Sequence, residues 1–226
     1  MSFSLCQPGK NLGCSACCGI FNLQDISREN CDRVLKYFTG NYVHGSCPDT
    51  GDGEAVPCTG KGTVVRDFMS HICPFQGYLS SGKPGCLAHP LVHHGDEGRH
   101  LSLFGSKICG EFLCPAHSIL DRYMQQMLID CADDWYVYSV GIIDPLSFTW
   151  IVEEYRSTGK QVRAGTRNPV AGALEIHAEY LNSRGIPVFH YGLSEYTAAA
   201  VDFSLASTKE HMDEERNVIK SFISGV

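Results

Sequence analysis

The sequence has no long apolar segment and no cluster of basic charge. Charged residues make up 19% of the 226 residues, acidic residues outnumber basic ones by 25 to 18, and the formal net charge is −7. A chain without a stretch rich in Lys and Arg lacks the electrostatic signature of proteins that bind nucleic acid or anionic membranes. No apolar run approaches the roughly 18 residues that a membrane-spanning helix needs. We therefore expect no nucleic-acid partner and no membrane partner.

A secretory signal is also missing from the start of the sequence. Residues 1–8 contain neither a basic region nor an apolar stretch, and a signal peptide needs both. We therefore expect a cytoplasmic protein. Hydrophobic residues make up 43% of the chain, which is enough for a packed core and excludes wholesale disorder.

Cysteine, by contrast, is abundant and unevenly placed. All twelve cysteines lie between Cys6 and Cys131, and the rest of the chain has none. In a reducing compartment such a count favours metal binding or redox chemistry over disulfide bonds. The distribution divides the chain into a predicted cysteine-rich module for metal or cluster binding, residues 1–118, and a predicted helical part packed against it, residues 119–226.

The hydrophobic pattern predicts a mainly α fold with an irregular, loop-rich, cysteine-clamped N-terminal half and few short strands. Helix-capping residues and apolar periodicity place four helix starts at Ser27, Pro115, Asp144-Pro145 and Asn168-Pro169. A fifth, final helix is predicted from the capping-box pair Ser207 and Glu210. The helix that starts at Pro115 is expected to continue to Cys131. Residues 62–68 and 186–193 are strand candidates, and residues 135–143 fit either a strand or an extension of the preceding helix.

The sharpest motif is formed by Cys14, Cys17 and Cys18. Two thiolates three positions apart can turn towards one ion, a pattern shared by zinc sites, iron–sulfur sites and thioredoxin-like redox motifs. The redox motif needs a βαβ context, which the pattern does not show. Because the side chains of neighbouring residues diverge, we expect Cys17 and Cys18 to serve different ions, or one to ligate while the other packs.

Further candidate ligands follow at Cys73, Cys86, Cys109 and Cys114. Cys114 stands directly before the predicted Pro115 helix, where free N–H groups and the helix dipole favour an anion. We therefore expect the pKa of its thiol to be lowered. Packing explains other cysteines better: Cys31 and Cys131 lie on apolar helix faces and are expected to fill the core. Cys47 and Cys58, in a loop rich in Gly, Pro and Asp, are candidates for an additional ion.

These cysteines resemble a family named for its C-x-x-C-x-x-C-C motif and described as a zinc- or iron-chelating domain. Cys14, Cys17 and Cys18 match the last three cysteines of that motif, while Asn11 stands at the position of the first. The resemblance covers about residues 6–118 and implies that Cys6 replaces the first cysteine. Its downstream set corresponds to Cys73, Cys86 with His89-Pro90, Cys109 and Cys114. The Arg-Pro step usual before the later cysteines is absent, and a longer insertion, residues 91–107, stands there.

Eight thiols are enough for two four-cysteine sites of either metal type. The predicted ligands are Cys6, Cys14, Cys17, Cys18, Cys73, Cys86, Cys109 and Cys114. Three Cys-Pro steps are similar to the end of bacterial ferredoxin motifs, and only one cysteine pair has the close spacing typical of zinc sites. We therefore favour an iron–sulfur cluster, with zinc as the alternative.

Three functions are compatible with this pattern. The first is a metal-binding protein that holds an iron–sulfur cluster, with redox or other cofactor chemistry. The second is a non-enzymatic interaction module in which zinc cross-links the loops and the helical half recognises a protein partner. The third, methyl transfer to protein lysine, rests on the family analogy alone, and no glycine-rich nucleotide motif supports it. The histidine-rich residues 93–100 lack a helical metal-binding spacing and are expected to form a solvated loop.

Overall fold

Helices dominate this computed structural model, which describes residues 4–9, 12–42, 72–92, 94–102, 104–162, 165–184 and 209–225. The helices are α1 (Arg28–Asn41), α2 (Gly105–Glu111), α3 (Ala116–Ile119), α4 (Arg122–Cys131), α5 (Trp135–Ile143), α6 (Pro145–Ser157), α7 (Pro169–Arg184) and α8 (Lys209–Gly225). Two short strands, β1 (Gln76–Tyr78) and β2 (Pro84–Cys86), form an antiparallel hairpin. The predicted mainly α fold with few short strands is confirmed. The strand candidates at 62–68 and 186–193, like Cys47 and Cys58, lie outside the described residues.

Local side-chain chemistry explains where the helices begin. The Ser27 hydroxyl accepts a hydrogen bond from the Asn30 amide at the start of α1. The Asp144 carboxylate accepts one from the Ser147 amide at the start of α6, where Pro145 occupies the first turn. Each cap satisfies an amide that the helix itself leaves unpaired. The helix starts predicted at these two positions are confirmed.

The single helix expected from Pro115 to Cys131 is wrong, because it is broken into α3 and α4. Leu120 has an extended backbone, and the Asp121 carboxylate caps the second helix by accepting a hydrogen bond from the Met124 amide, 2.8 Å away. An Asp side chain that hydrogen-bonds to a nearby backbone amide competes with the helical hydrogen bonds, and Asp121 therefore favours the start of a new helix at this position. The apolar periodicity continues across the break and therefore hid it.

The ambiguous residues 135–143 form helix α5, which begins at the Asp134 cap. Eight of its nine residues are buried. A helix buried on all sides has no polar face, so its sequence carries no helical periodicity. It is too short to cross a bilayer, and none of the other described helices has the combination of length and apolar character that a membrane span requires.

Two clusters of buried side chains organise the protein. The main core joins the N-terminal loop and α1 to α4, α5, α6, α7 and α8, with Phe21, Leu128 and Phe148 fully buried. A smaller cluster contains Cys73, Phe75 and Ala88, which closely precede β1 or follow β2. The hairpin packs against α1. The main core thus contains residues from both sides of the predicted boundary at residue 118, and the division into two units stays a prediction.

Candidate metal centre

All ten cysteines within the described residues are free thiols. Cys31 and Cys131 are buried in the main core, with exposed fractions of 0% and 3%. The prediction that these two fill the core is confirmed. The other eight thiols are the candidate ligands, and they lie in two groups that bring together residues distant in sequence.

The first cysteine group consists of Cys6, Cys14, Cys17 and Cys114. The Cys17 thiol hydrogen-bonds to Cys6, and the Cys14 amide donates to the Cys6 carbonyl over 3.0 Å. A charge on Cys114 raises the pKa of both Cys14 and Cys17, and a charge on Cys6 raises that of Cys114. Every pair within this group therefore interacts directly or electrostatically, although 108 positions separate Cys6 from Cys114 in the sequence.

The main core surrounds this first group. Cys114 belongs to that core with an exposed fraction of 4%, and Cys14 packs against it. Tyr138 of α5 is fully buried, and its hydroxyl donates to the Leu5 carbonyl over 2.7 Å, which fixes the loop that carries Cys6. Burial raises the pKa of Tyr138, and the neighbouring charges of Cys14, Cys6 and Cys114 raise it further. Tyr138 thus lies beside three of the four thiols.

The second cysteine group consists of Cys18, Cys73, Cys86 and Cys109. The thiols of Cys18 and Cys73 hydrogen-bond to each other, and the Cys73 amide donates to the Cys18 carbonyl over 2.8 Å. Cys73 precedes β1 and Cys86 ends β2, so the hairpin brings these two together. A charge on Cys73 raises the pKa of Cys86 and of Cys109. Cys18 and Cys86 also pack on the small cluster that contains Cys73.

Cys109 enters the second group from α2 and has two polar neighbours. Its sulfur lies 3.3 Å from the Ser102 hydroxyl, and its carbonyl accepts a hydrogen bond from the Arg99 guanidinium over 3.4 Å. The Arg99 side chain is only 16% exposed and forms an ion pair with Glu97 at 2.6 Å. Although its turn belongs to the histidine-rich residues predicted to be a solvated loop, Arg99 itself is mostly buried against the second group.

Adjacent residues connect the two groups. Cys17 belongs to the first group and Cys18 to the second. This assignment agrees with the fact that the side chains of adjacent residues point in different directions. The Gln7 side-chain amide donates to the Pro84 carbonyl over 2.9 Å and so links the N-terminal loop to β2. A methyl group on Gly13 would clash with that same carbonyl, so the close approach of loop and hairpin requires glycine there.

Burial is the largest cause that raises the pKa of Cys14, Cys86, Cys109 and Cys114, and it raises the pKa of Cys86 and of Cys114 to about 12. The pKa values of Cys17 and Cys18 are raised first by the hydrogen bonds with Cys6 and Cys73 and then by burial. The pKa of Cys6, by contrast, is lowered to about 7 by the hydrogen bond with Cys17. The expected lowered pKa of Cys114 is wrong: the amides of Ala116 and His117 do lower it, but burial outweighs them. A bound cation reverses this balance, because it favours the thiolates.

The thiol side chains of both groups are chemically suited to a thiophilic metal or a cluster. Their positions, however, do not form a complete ligand shell around one point. Within the described ranges, no three His, Cys, Asp or Glu side chains converge closely enough to hold a metal ion as they stand. Ligation therefore requires the thiols of a group to turn towards a common point. Beside the first group, the Ser15 hydroxyl and the Nε2 atom of His117 are buried without a hydrogen-bond partner. Such polar atoms are costly when unpaired, and they are potential donors to metal-bound sulfur.

Three residues near the thiols escaped the sequence analysis. His117 places its Nδ1 atom 3.3 Å from the Cys114 sulfur, and the Cys-x-x-His spacing could have revealed it, because residues three apart share a helix face. Ser102 and Arg99 contact Cys109 from a preceding turn. Their spacing of seven and ten residues from Cys109 has no recognised meaning as a motif.

Comparison with known proteins identified no relative of this chain. No protein-family model matches the chain, and neither curated proteins nor solved structures gave a match. The resemblance to the C-x-x-C-x-x-C-C family therefore stays a prediction based on the cysteine pattern.

Proposed function

We propose that this protein is a metal-binding protein that carries two four-cysteine centres, each an iron–sulfur cluster. The observation that supports this proposal is the division of eight dispersed cysteines into two groups of four. Four thiolates are the ligand set of common [2Fe–2S] and [4Fe–4S] clusters. A bound cluster would supply one-electron chemistry, and this chain's part would be to ligate it, exclude water from it and set its potential.

The surroundings of the sulfur atoms support a cluster. The Ala16 amide donates to the Cys14 sulfur over 3.4 Å, and backbone amides of Ala88 and Ala116 hydrogen-bond to the thiols of Cys86 and Cys114. Hydrogen bonds to sulfur and burial are two of the properties through which proteins tune cluster potential. Both groups therefore have amides at the atoms where a cluster would carry negative charge.

The small second core favours zinc as a second candidate. Only Cys73, Phe75 and Ala88 make up that cluster of buried side chains among the described residues. Such a core is too small to hold a hairpin and loops together by burial alone, and a structural zinc ion supplies the missing stability. On this alternative the protein would be a zinc-stabilised interaction module whose helical half binds a partner.

Elemental analysis together with visible absorption of anaerobically purified protein tests the proposal. We expect iron and inorganic sulfide with absorption in the visible range. Cys17→Ala and Cys18→Ala should each remove about half of the metal, because each cysteine belongs to a different group. Cys31→Ala is the matched control, since that thiol is buried in the main core outside both groups.

The outcomes separate the candidates. Zinc without iron would replace the cluster by the zinc alternative. A protein that contains neither metal, after anaerobic purification and after reconstitution with each, would contradict both. Loss of metal in Cys31→Ala equal to that in Cys17→Ala would contradict the assignment of ligands to the two groups.

A further inference from the structure

Two thiols of the second cysteine group belong to residues that also share a backbone hydrogen bond. The Cys73 amide donates to the Cys18 carbonyl over 2.8 Å, and the two thiols hydrogen-bond to each other. These residues are 55 positions apart in the sequence. Both the main chains and the side chains of Cys18 and Cys73 are therefore in contact, as a disulfide bond requires.

The backbone hydrogen bond limits the distance between the two α-carbons. A carbonyl oxygen lies about 2.4 Å from the α-carbon of its residue, and an amide nitrogen lies about 1.5 Å from that of its own. Together with the 2.8 Å between oxygen and nitrogen, these lengths place the α-carbons of Cys18 and Cys73 at most about 6.7 Å apart. Disulfide bonds span about 4.4–6.8 Å between α-carbons, so the backbone of this pair is close enough to be bridged.

Neighbouring contacts hold the pair in this arrangement. The side-chain amide of Gln76, a fully buried residue, donates a second hydrogen bond to the Cys18 carbonyl over 3.0 Å. Cys73 belongs to the small cluster with Phe75 and Ala88, and Cys18 packs against that cluster. Two sulfur atoms that the fold already holds together react at a high effective concentration, which favours a disulfide within the protein over mixed disulfides with small thiols.

The first group also contains two thiols in contact, those of Cys6 and Cys17. The Cys6 carbonyl, however, accepts its backbone hydrogen bond from the Cys14 amide over 3.0 Å. The limit on the distance between α-carbons therefore does not apply to Cys6 and Cys17, and the second group contains the pair that the geometry favours for a disulfide.

The two sulfur atoms of the favoured pair differ in their access to solvent. Cys18 is partly exposed, whereas Cys73 is only 5% exposed. A reagent in solution therefore reaches Cys18 first, and the buried Cys73 reacts afterwards with the modified Cys18.

We propose that Cys18 and Cys73 form a redox-active dithiol that low-molecular-weight disulfides, such as oxidised glutathione, convert reversibly to a disulfide. First, the Cys18 sulfur loses its proton and bonds to one sulfur of oxidised glutathione, whose own disulfide bond breaks. The Cys73 sulfur then loses its proton and bonds to the Cys18 sulfur, which releases the second glutathione. Two electrons pass from the pair to oxidised glutathione, and the two protons end on the two glutathione thiols.

This disulfide cross-links the N-terminal loop to the segment before β1. The hairpin has only a small buried cluster beside it, so a covalent link has a large effect on its local opening. Oxidation should slow amide hydrogen exchange in residues 72–92 by about tenfold and leave the exchange of α6, in the main core, nearly unchanged. The inference requires only the two thiols and is independent of metal binding.

Thiol mapping of the full-length protein tests this inference. The protein, with and without a chelator of zinc and iron, is equilibrated anaerobically with reduced and oxidised glutathione. Free thiols are then blocked with N-ethylmaleimide, and linked peptides are identified by mass spectrometry. We expect the disulfide between Cys18 and Cys73 to predominate. In concentrated urea, pairs close in sequence such as Cys14 and Cys17 should predominate instead, because closing a short loop costs less entropy.

Two variants test the assignment to this pair. In Cys73→Ser, the Cys18 sulfur lacks its partner and should retain one glutathione as a mixed disulfide. Cys86→Ser is the matched control, because it removes another thiol that packs on the same cluster, and it should leave the disulfide between Cys18 and Cys73 intact. The mapping of the unaltered protein stays decisive if either variant fails to fold.

The results distinguish this inference from the proposed function. A different predominant disulfide in the folded protein, or a level of the expected one no higher than in urea, would overturn the redox pair, and unchanged exchange of the hairpin after oxidation would overturn the cross-link's effect. Metal content, measured in the same samples, bears on the proposed function alone. A protein that forms the expected disulfide but binds no metal would support the redox pair and contradict the metal centres.

Discussion

The two cysteine groups use the same type of donor in different settings. The first is built into the main core, where α5 contributes Tyr138 and the segment before α3 contributes the buried Cys114. The second is carried by the hairpin and the N-terminal loop, packs on a small cluster of its own, and includes the exposed Cys109 of α2. Two groups of four thiols in one protein thus need not be equally stable, because the packing of the chain that carries each group decides how easily its thiols separate.

The largest expected effect on stability comes from removing a large buried aromatic side chain. One such side chain lies in the main core and another in the small cluster beside the hairpin. Tyr138→Ala should lower the free energy of unfolding by about 3–5 kcal/mol, as truncation of a buried aromatic typically does. Phe75→Ala removes a side chain that is equally buried, at 1% exposed, but from the small core. We expect it to speed amide hydrogen exchange in residues 72–92 and to leave the exchange of α5 and α6 nearly unchanged.

Hydrogen exchange and thermal unfolding of both variants provide the measurement. If Phe75→Ala accelerates exchange in α5 as strongly as in the hairpin, then the two regions unfold as one unit and the comparison fails.

A change in pH is expected to have an intermediate effect on the free energy of unfolding. This effect arises from His177, which lies among the helices and outside both cysteine groups. His177 of α7 is buried between Asp144 and Glu215, with Nε2 at 3.1 Å from Asp144 and Nδ1 hydrogen-bonded to Glu215. Burial alone would lower the pKa of His177, but the two carboxylates raise it from 6.5 to about 10. Both ring nitrogens therefore donate, and the imidazole is protonated in the folded protein.

The sign of the pH effect follows from this raised pKa. The stability from protonated His177 is fully present below pH 6.5 and is lost as the pH rises towards 10. We expect the free energy of unfolding to fall by at most about 2 kcal/mol between pH 6.5 and 8. Chemical denaturation at several pH values measures this slope. His177→Gln should flatten it, and an unchanged slope in that variant would show that another group is responsible.

The smallest effect on stability is expected at one of the contacts between the hairpin and helix α1. The Tyr78 hydroxyl donates to the Asp32 carboxylate over 2.7 Å and so joins β1 to α1. Tyr78→Phe should destabilise the hairpin by about 1 kcal/mol, the usual value of one hydrogen bond. Amide exchange in β1 and β2 should then be about fivefold faster. Tyr123→Phe, at a half-exposed position on α4, is the control and should have no effect on the hairpin.

Features that depend on residues close in the sequence could be predicted before the fold was known. Ser27 and Asp144 mark helix starts because a cap acts on amides two or three positions away. Cys31 and Cys131 were recognisable as core residues because an apolar helix face repeats every three or four residues. Cys17 and Cys18 have different thiol neighbours because adjacent side chains diverge, whereas whether they serve different ions, or one ligates while the other packs, stays a prediction.

Which thiols are neighbours, and how deeply each one is buried, depends on the packing of distant segments and is visible only in the folded structure. No local pattern links Cys6 to Cys114 or Cys18 to Cys73, since their proximity arises from the packing of the N-terminal loop against the hairpin and against the segment before α3. The same holds for the pKa of Cys114, where burial outweighs the amides that the sequence revealed. Burial and long-range contacts are properties of the whole packed chain, and a short stretch of sequence does not contain them.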